Sequence, residues 1–169
     1  MEKKVLVAYA SKYGATQGIA EKIAQVLEEE SVAAEVRPAG EVKNVSAYRA
    51  VVLGSGVYAG AWLKPAADLL KNNQLALAEM PLWLFSDGPT GEGHPVDLMN
   101  GWRFPDALRP AAEHAGARDM VLFHGFLNPD KLNFAEKMLL KAMKAVMGDF
   151  RDWDAIAAWA KGIAGQLKK

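Results

Sequence analysis

The chain has 169 residues, 20 of them basic and 20 acidic, with three histidines and no cysteine. That length suits a single domain, residues 1–169, burying roughly 70% of its unfolded surface. Zero net charge gives no global attraction to nucleic acid, and the missing thiols exclude disulfides, thiolate nucleophiles, iron–sulfur clusters and thiolate zinc sites.

In chain order, Lys3 to Ala10 reads as a short buried strand that empties into Ser11-Lys12-Tyr13-Gly14-Ala15-Thr16. Its apolar run is too short for a signal peptide and has no cleavage-like region after it, so a cytoplasmic location is expected. Between Gln17 and Glu30 the residues Ile19, Ile23, Val26 and Leu27 recur at helical spacing, with Glu21, Lys22, Gln25, Glu28 and Glu29 opposite. Val32 to Arg37 predicts a second strand, and Ala50-Val51-Val52-Leu53 a third that ends in Gly54-Ser55-Gly56-Val57-Tyr58-Ala59-Gly60. Residues 62 to 73 predict a helix with Pro65 early, where its missing N–H costs least.

Pro81 opens a fourth strand, Leu82 to Phe85, followed by an irregular Gly- and Pro-rich loop over residues 86 to 93. A helix over about Pro105 to Ala115 and a fifth strand over Asp119 to Phe126 come next. Two helical patterns, residues 131 to 147 and 152 to 167, close the chain. No stretch reaches the ~20 apolar residues of a bilayer span, and His94, His114 and His124 have no metal-like spacing.

Strands alternating with helices predict an α/β domain whose parallel sheet is covered on both faces, because parallel strands need crossovers. In such sheets a ligand binds beyond the carboxyl ends of the strands, where the winding reverses. Three loops have the composition for that position: 11–16, 54–60 and 86–93. The first is neither a Walker loop, having no Gly-Lys-Ser/Thr, nor a dinucleotide fingerprint, having one glycine where three are needed. What remains is an anion site at a helix start, made of hydroxyls and backbone amides with little cationic help beyond Lys12, which suits a monophosphate better than a triphosphate. The simpler reading is a helix cap by Ser11 or Thr16.

The stretch Val5 to Thr16 closely resembles the FMN phosphate loop of the flavodoxin family, and the resemblance extends over nearly the whole chain. It implies a three-layer α/β/α sandwich around a five-stranded parallel sheet of order 2-1-3-4-5. It further implies that Ser11, Lys12, Tyr13, Gly14, Ala15 and Thr16 wrap the FMN phosphate. Ser55, Gly56, Val57, Tyr58, Ala59 and Gly60, with Ser86, Asp87, Gly88 and Gly91, would border the isoalloxazine ring. Val52 to Gly60, and Lys141 to Gly148 followed by Asp152-Trp153, also resemble the flavodoxin-domain proteins that include menaquinone-dependent protoporphyrinogen dehydrogenase. The implied function is electron transfer to or from redox partner proteins, or an FMN-dependent oxidoreductase acting on a quinone or porphyrinogen-like small molecule. The loop from 86 to 101 departs from that enzyme in lacking a longer basic insertion, and the neutral charge departs from strongly acidic electron carriers.

Other residues have ordinary readings beside functional ones. Asp87 is a turn residue or a ring-facing carboxylate, Trp62 a packing residue or a ring contact, and His94 a loop residue or a substrate contact. Lys137, Lys141 and Lys144 along one side of the 131–147 pattern read as a solvated face, or as a peripheral membrane contact.

Overall fold

The structure is a computed structural model that describes residues 2–169. Its first strand, β1 (Val5–Ala10), is apolar throughout and lies inside the sheet, with β2 (Ala34–Pro38) on one side and β3 (Ala50–Tyr58) on the other, both parallel to it. A short β4 (Ala61–Trp62) folds back antiparallel on β3, and β5 (Leu82–Asp87) and β6 (Asp119–Phe123) continue the parallel sheet. The order β2-β1-β3-β5-β6 is the expected 2-1-3-4-5 once the small β4 is counted in the numbering.

Period-two alternation explains why the sheet is covered twice, since successive side chains point to opposite faces. Leu6, Ala8, Val51, Leu53, Leu82 and Leu84 pack against α2 (Lys64–Asn72), α3 (Gln74–Ala78) and α5 (Arg109–His114). Their neighbours Val5, Val7, Val52, Trp83 and Phe85 pack against α1 (Ala15–Glu29) and α7 (Trp153–Leu167). Gly54 lies where a Cβ would fall 2.1 Å from the Phe85 ring, so that large side chain can cross the sheet only over a glycine.

Several boundaries differ from the expectations, each for a local reason. Trp62 belongs to β4 rather than to a helix, because Ala59 and Gly60 both take positive φ (51° and 77°) and reverse the chain in two residues. Ser86 and Asp87 are the last residues of β5, so the loop begins at Gly88, and it contains the single-turn α4 (Pro95–Leu98). The fifth parallel strand stops at Phe123. Gly125 there approaches Gly88 so closely that a Cβ would lie 2.8 Å from the Gly88 carbonyl oxygen, and the chain leaves to form β7 (Phe126–Leu127), antiparallel to β8 (Gly148–Asp149).

The 131–147 pattern yields only α6 (Phe134–Ala142). A capping box starts it: the Asn133 side chain accepts the Glu136 N–H at 2.8 Å, and the Glu136 carboxylate accepts the Asn133 N–H at 3.2 Å. It ends where Lys144 turns left-handed (φ 58°) and the Ala145 N–H reaches back to the Leu140 carbonyl at 3.0 Å. The 105–115 pattern likewise begins as a tight turn, Asp106–Leu108, before α5. Among the described residues no helix is long and apolar enough to cross a membrane.

Candidate functional site

The chain winds from β1 outward to β2, then returns past β1 to β3, β5 and β6, so the winding reverses between β1 and β3. A crevice opens above their carboxyl ends, the place where parallel sheets bind ligands. The register brings Ala10, Ser55 and Ser86 into one row across β1, β3 and β5, with Gly56 and Asp87 one step further out.

After β1 the Ser11 hydroxyl accepts the Gly14 N–H at 2.8 Å, and Gly14 adopts φ 95°. This turn delivers the chain into α1 at Ala15 with no side-chain cap, against the capping reading of Ser11 and Thr16. The first helical amide with a partner is that of Gly18, bonded to the Gly14 carbonyl at 3.2 Å. The N–H groups of Ala15, Thr16 and Gln17 have none among the described residues, and with the helix dipole they favour an anion.

Three cations surround this turn, two of them from the distant C-terminal quarter. Lys131 donates to the Tyr13 carbonyl at 3.0 Å, and its Nζ would lie 3.4 Å from a Cβ placed on Gly14. Arg151 donates to the Ala15 carbonyl at 3.3 Å while its guanidinium is held by Asp149 (2.9 and 2.7 Å). Lys12 pairs with Glu136 at 3.3 Å and lies over the Tyr13 and Tyr58 rings, 5.1 and 5.9 Å from their centroids. Sequence reading found only Lys12. Lys131 and Arg151 lie more than a hundred residues from the loop, and no local pattern marks them.

Thr16 is buried, and its hydroxyl donates to Asp87 at 2.6 Å. Burial pushes the Asp87 carboxyl up to about 7, against the pull of the Thr16 hydrogen bond and of the Arg151 charge. Beside this pair the crevice is walled by Tyr13, Gly56, Val57, Tyr58, Gly88 and Phe126, with the Tyr13 and Tyr58 rings edge to face at 6.4 Å. The space between these walls is about 50 Å³.

The remaining expected residues stand around this space in different ways. Ser55 is fully buried, donating to the Gly56 carbonyl at 2.8 Å and accepting the Leu63 N–H at 3.0 Å. Ser86 accepts the Trp62 indole N–H at 2.8 Å, and that indole packs edge-on to Phe104. Ala59 and Gly60 form the exposed tip of the β3–β4 hairpin. Gly91 is turned away, where a Cβ would meet Val146 at 3.3 Å. Gly125, Phe126 and Leu127 line the crevice without having been expected there; the glycine after an apolar strand was the available signal.

Residues 6–154 match the flavodoxin domain family. An archaeal flavodoxin superposes with a TM-score of 0.62 at 18% identity, covering 98% of this chain and 99% of that one. Oxidised flavodoxin 2 from Bacillus cereus gives 0.60 at 18% identity, again over 98% and 99%. The rubredoxin oxygen:oxidoreductase of the anaerobe Desulfovibrio gigas gives 0.61 at 14% identity over 98% of this chain, which spans only 36% of that longer protein. No curated protein matches in sequence. At these identities the structural likenesses speak for the fold, and the family match over most of the sequence settles membership: the chain belongs to the flavodoxin domain family.

Proposed function

We propose that this protein binds FMN non-covalently in the crevice and passes electrons to and from redox partner proteins. One observation carries the reading: the unpartnered amides of Ala15, Thr16 and Gln17 rise behind a left-handed Gly14 in the loop after β1, ringed by Lys12, Lys131 and Arg151. A phosphate monoester suits that turn. Its oxygens accept the free amides, and the cations offset a dianion's charge. The residues of the wall suit the rest of the ligand, since Tyr13, Val57, Tyr58 and Phe126 offer ring faces and apolar surface to a flat heterocycle.

The crevice of about 50 Å³ is well below the ~300–1,000 Å³ of ordinary ligand sites, so admitting the ring requires the half-buried Tyr13 and Tyr58 side chains to swing outward. In this assignment residues 11–16 hold the phosphate, and Gly56 to Gly60 with Asp87 and Gly88 border the ring. Ser55 and Ser86 support those walls from behind. When bound, FMN supplies one- and two-electron chemistry that no side chain here possesses. The chain's part is to hold the phosphate, orient the ring and limit water at its inner edge.

A second reading, an FMN-dependent oxidoreductase acting on a quinone or porphyrinogen-like small molecule, draws support from the neutral net charge and from the lysines at the crevice mouth, which give no acidic docking rim. Anaerobic turnover with such acceptors separates the two readings.

Fluorescence titration with FMN and with riboflavin tests the binding claim. One-to-one uptake of FMN is expected. Lys131→Ala should weaken FMN by about tenfold while leaving riboflavin nearly unchanged, because only FMN carries the phosphate. A protein that takes up no FMN overturns the proposal, and equal losses for both ligands remove the phosphate from this turn. Thr16→Ala is a less clean probe, since it also strips Asp87 of its hydrogen-bond donor.

A further inference from the structure

Across the Gly88–Gly125 contact from the crevice lies a second cleft of about 410 Å³, between the outer side of β6, the segment around α4 and the first turns of α7. Gly125 lines the crevice, and the adjacent His124 lines this cleft. Phe123 and Trp159 form its apolar wall. The indole is fixed in place: it packs edge-on to Phe123 and Phe85 at 5.6 and 6.1 Å, and its N–H donates to Asp119 at 3.0 Å.

The polar lining is mostly donors. Of the six arginines in the sequence, Arg37, Arg49, Arg109, Arg118 and Arg151 each have a side-chain hydrogen bond. Arg103 is the exception among the described residues, with neither a hydrogen bond nor an ion pair, and it lines this cleft. His94 accepts the Val96 N–H on Nδ1 at 3.2 Å, which leaves the ring proton on Nε2 as a free donor. His124 has its Nδ1 3.3 Å from the Pro89 carbonyl, so that nitrogen carries the proton and the backbone holds the ring. The one lining carboxylate, Asp152, is occupied in capping α7, accepting the Ala155 N–H at 3.0 Å.

We propose that this cleft binds a small organic anion with a flat apolar body, such as an aromatic carboxylate. Its carboxylate lies on the Arg103 guanidinium and the His94 N–H, and its ring lies against Trp159 and Phe123. A planar fork of donors matches a carboxylate's two oxygens, and an inorganic anion would leave the aromatic wall in water. The site is separate from the crevice and does not depend on the flavin reading.

Calorimetric titration of the full chain with naphthoate, with and without saturating FMN, tests this. Saturable one-to-one binding tighter than about 1 mM is expected in both conditions, with neutral naphthol at least about tenfold weaker. Arg103→Gln, at an exposed position where folding is not at stake, should weaken naphthoate by about tenfold. Arg109→Gln, which alters an exposed arginine outside the cleft, should leave it unchanged. The proposal is overturned by a lack of saturable binding, by naphthol binding as well as naphthoate, by indifference to Arg103→Gln, or by displacement with FMN, which would place the carboxylate in the crevice.

Discussion

Asp87 concentrates the residue-scale physics of this protein. It ends β5 fully out of water, with a single threonine hydroxyl at 2.6 Å as its hydrogen-bond donor, and burial raises its carboxyl to about 7. A carboxyl that titrates higher in the folded chain than in the unfolded one binds the proton more tightly when folded. Its penalty is therefore absent below the ordinary value of 3.8, grows as pH rises, and is complete above about 7. Stability should accordingly fall through this window by an amount of order a few kcal/mol. Asp87→Asn keeps an oxygen for the Thr16 hydroxyl and removes the titration. The variant's stability relative to the parent should then rise between about pH 4 and pH 7 in urea unfolding and level off above that, and parallel curves would show that Asp87 does not titrate there. The sequence placed Asp87 next to a turn. That its carboxyl meets Thr16, seventy-one residues earlier, follows only from the adjacency of the β5 end to the start of α1.

Elements show where local chemistry decides and where it does not. The β3–β4 hairpin reverses over Ala59 and Gly60, both at positive φ, the arrangement of a type I′ turn. Alanine is a poor occupant of the left-handed region, so Ala59→Asn should stabilise the protein by about 0.5–1 kcal/mol, and an unchanged or lower urea midpoint would refute that turn geometry. Helix α6 is different. It buries no residue, and Phe134, Met138 and Leu139 stand 79%, 53% and 61% exposed. The Asn133–Glu136 capping box fixes its first turn, and the Lys12–Glu136 pair ties it to the loop after β1. Asn133→Ala should cost about 1 kcal/mol, felt locally as faster amide exchange over residues 134–142 with α1 and α7 unaffected; uniform acceleration would mean that α6 unfolds only with the whole domain. The helix itself was legible in the sequence, from the apolar and basic periodicity over residues 131–147. The early end of the helix was not, because nothing in Lys144 forecasts a left-handed residue.

At the scale of the whole molecule, FMN binding in the crevice would tie α1 to the tips of β3 and β5 and to the segment that carries Lys131. A ligand at a hundredfold excess over its dissociation constant adds about 2.7 kcal/mol to stability, so FMN should raise the melting temperature by roughly 5–10 °C. Riboflavin should raise it less, and an absence of any FMN-dependent rise would contradict binding to the folded state. The parallel sheet itself was readable because each central strand is a continuous apolar run, and Val5, Val7, Leu6 and Ala8 alternate cleanly between the two packed layers.

By itself the sequence determined what depends on neighbours along the chain. Those features are the alternation of strands and helices, the doubly covered sheet, the small hydroxyl-bearing loop between β1 and α1, and hence the reversal point where a ligand would sit. Only the tertiary structure decided what surrounds that point. Lys131 and Arg151 reach the first turn of α1 across 118 and 136 residues, Asp87 closes on Thr16, and Gly125 presses against Gly88 to divide two clefts. The reason is physical: periodicity and turn chemistry act over a few residues, whereas charge and close packing act through space, and the spatial neighbours of a loop are set by which strand ends the sheet order brings together.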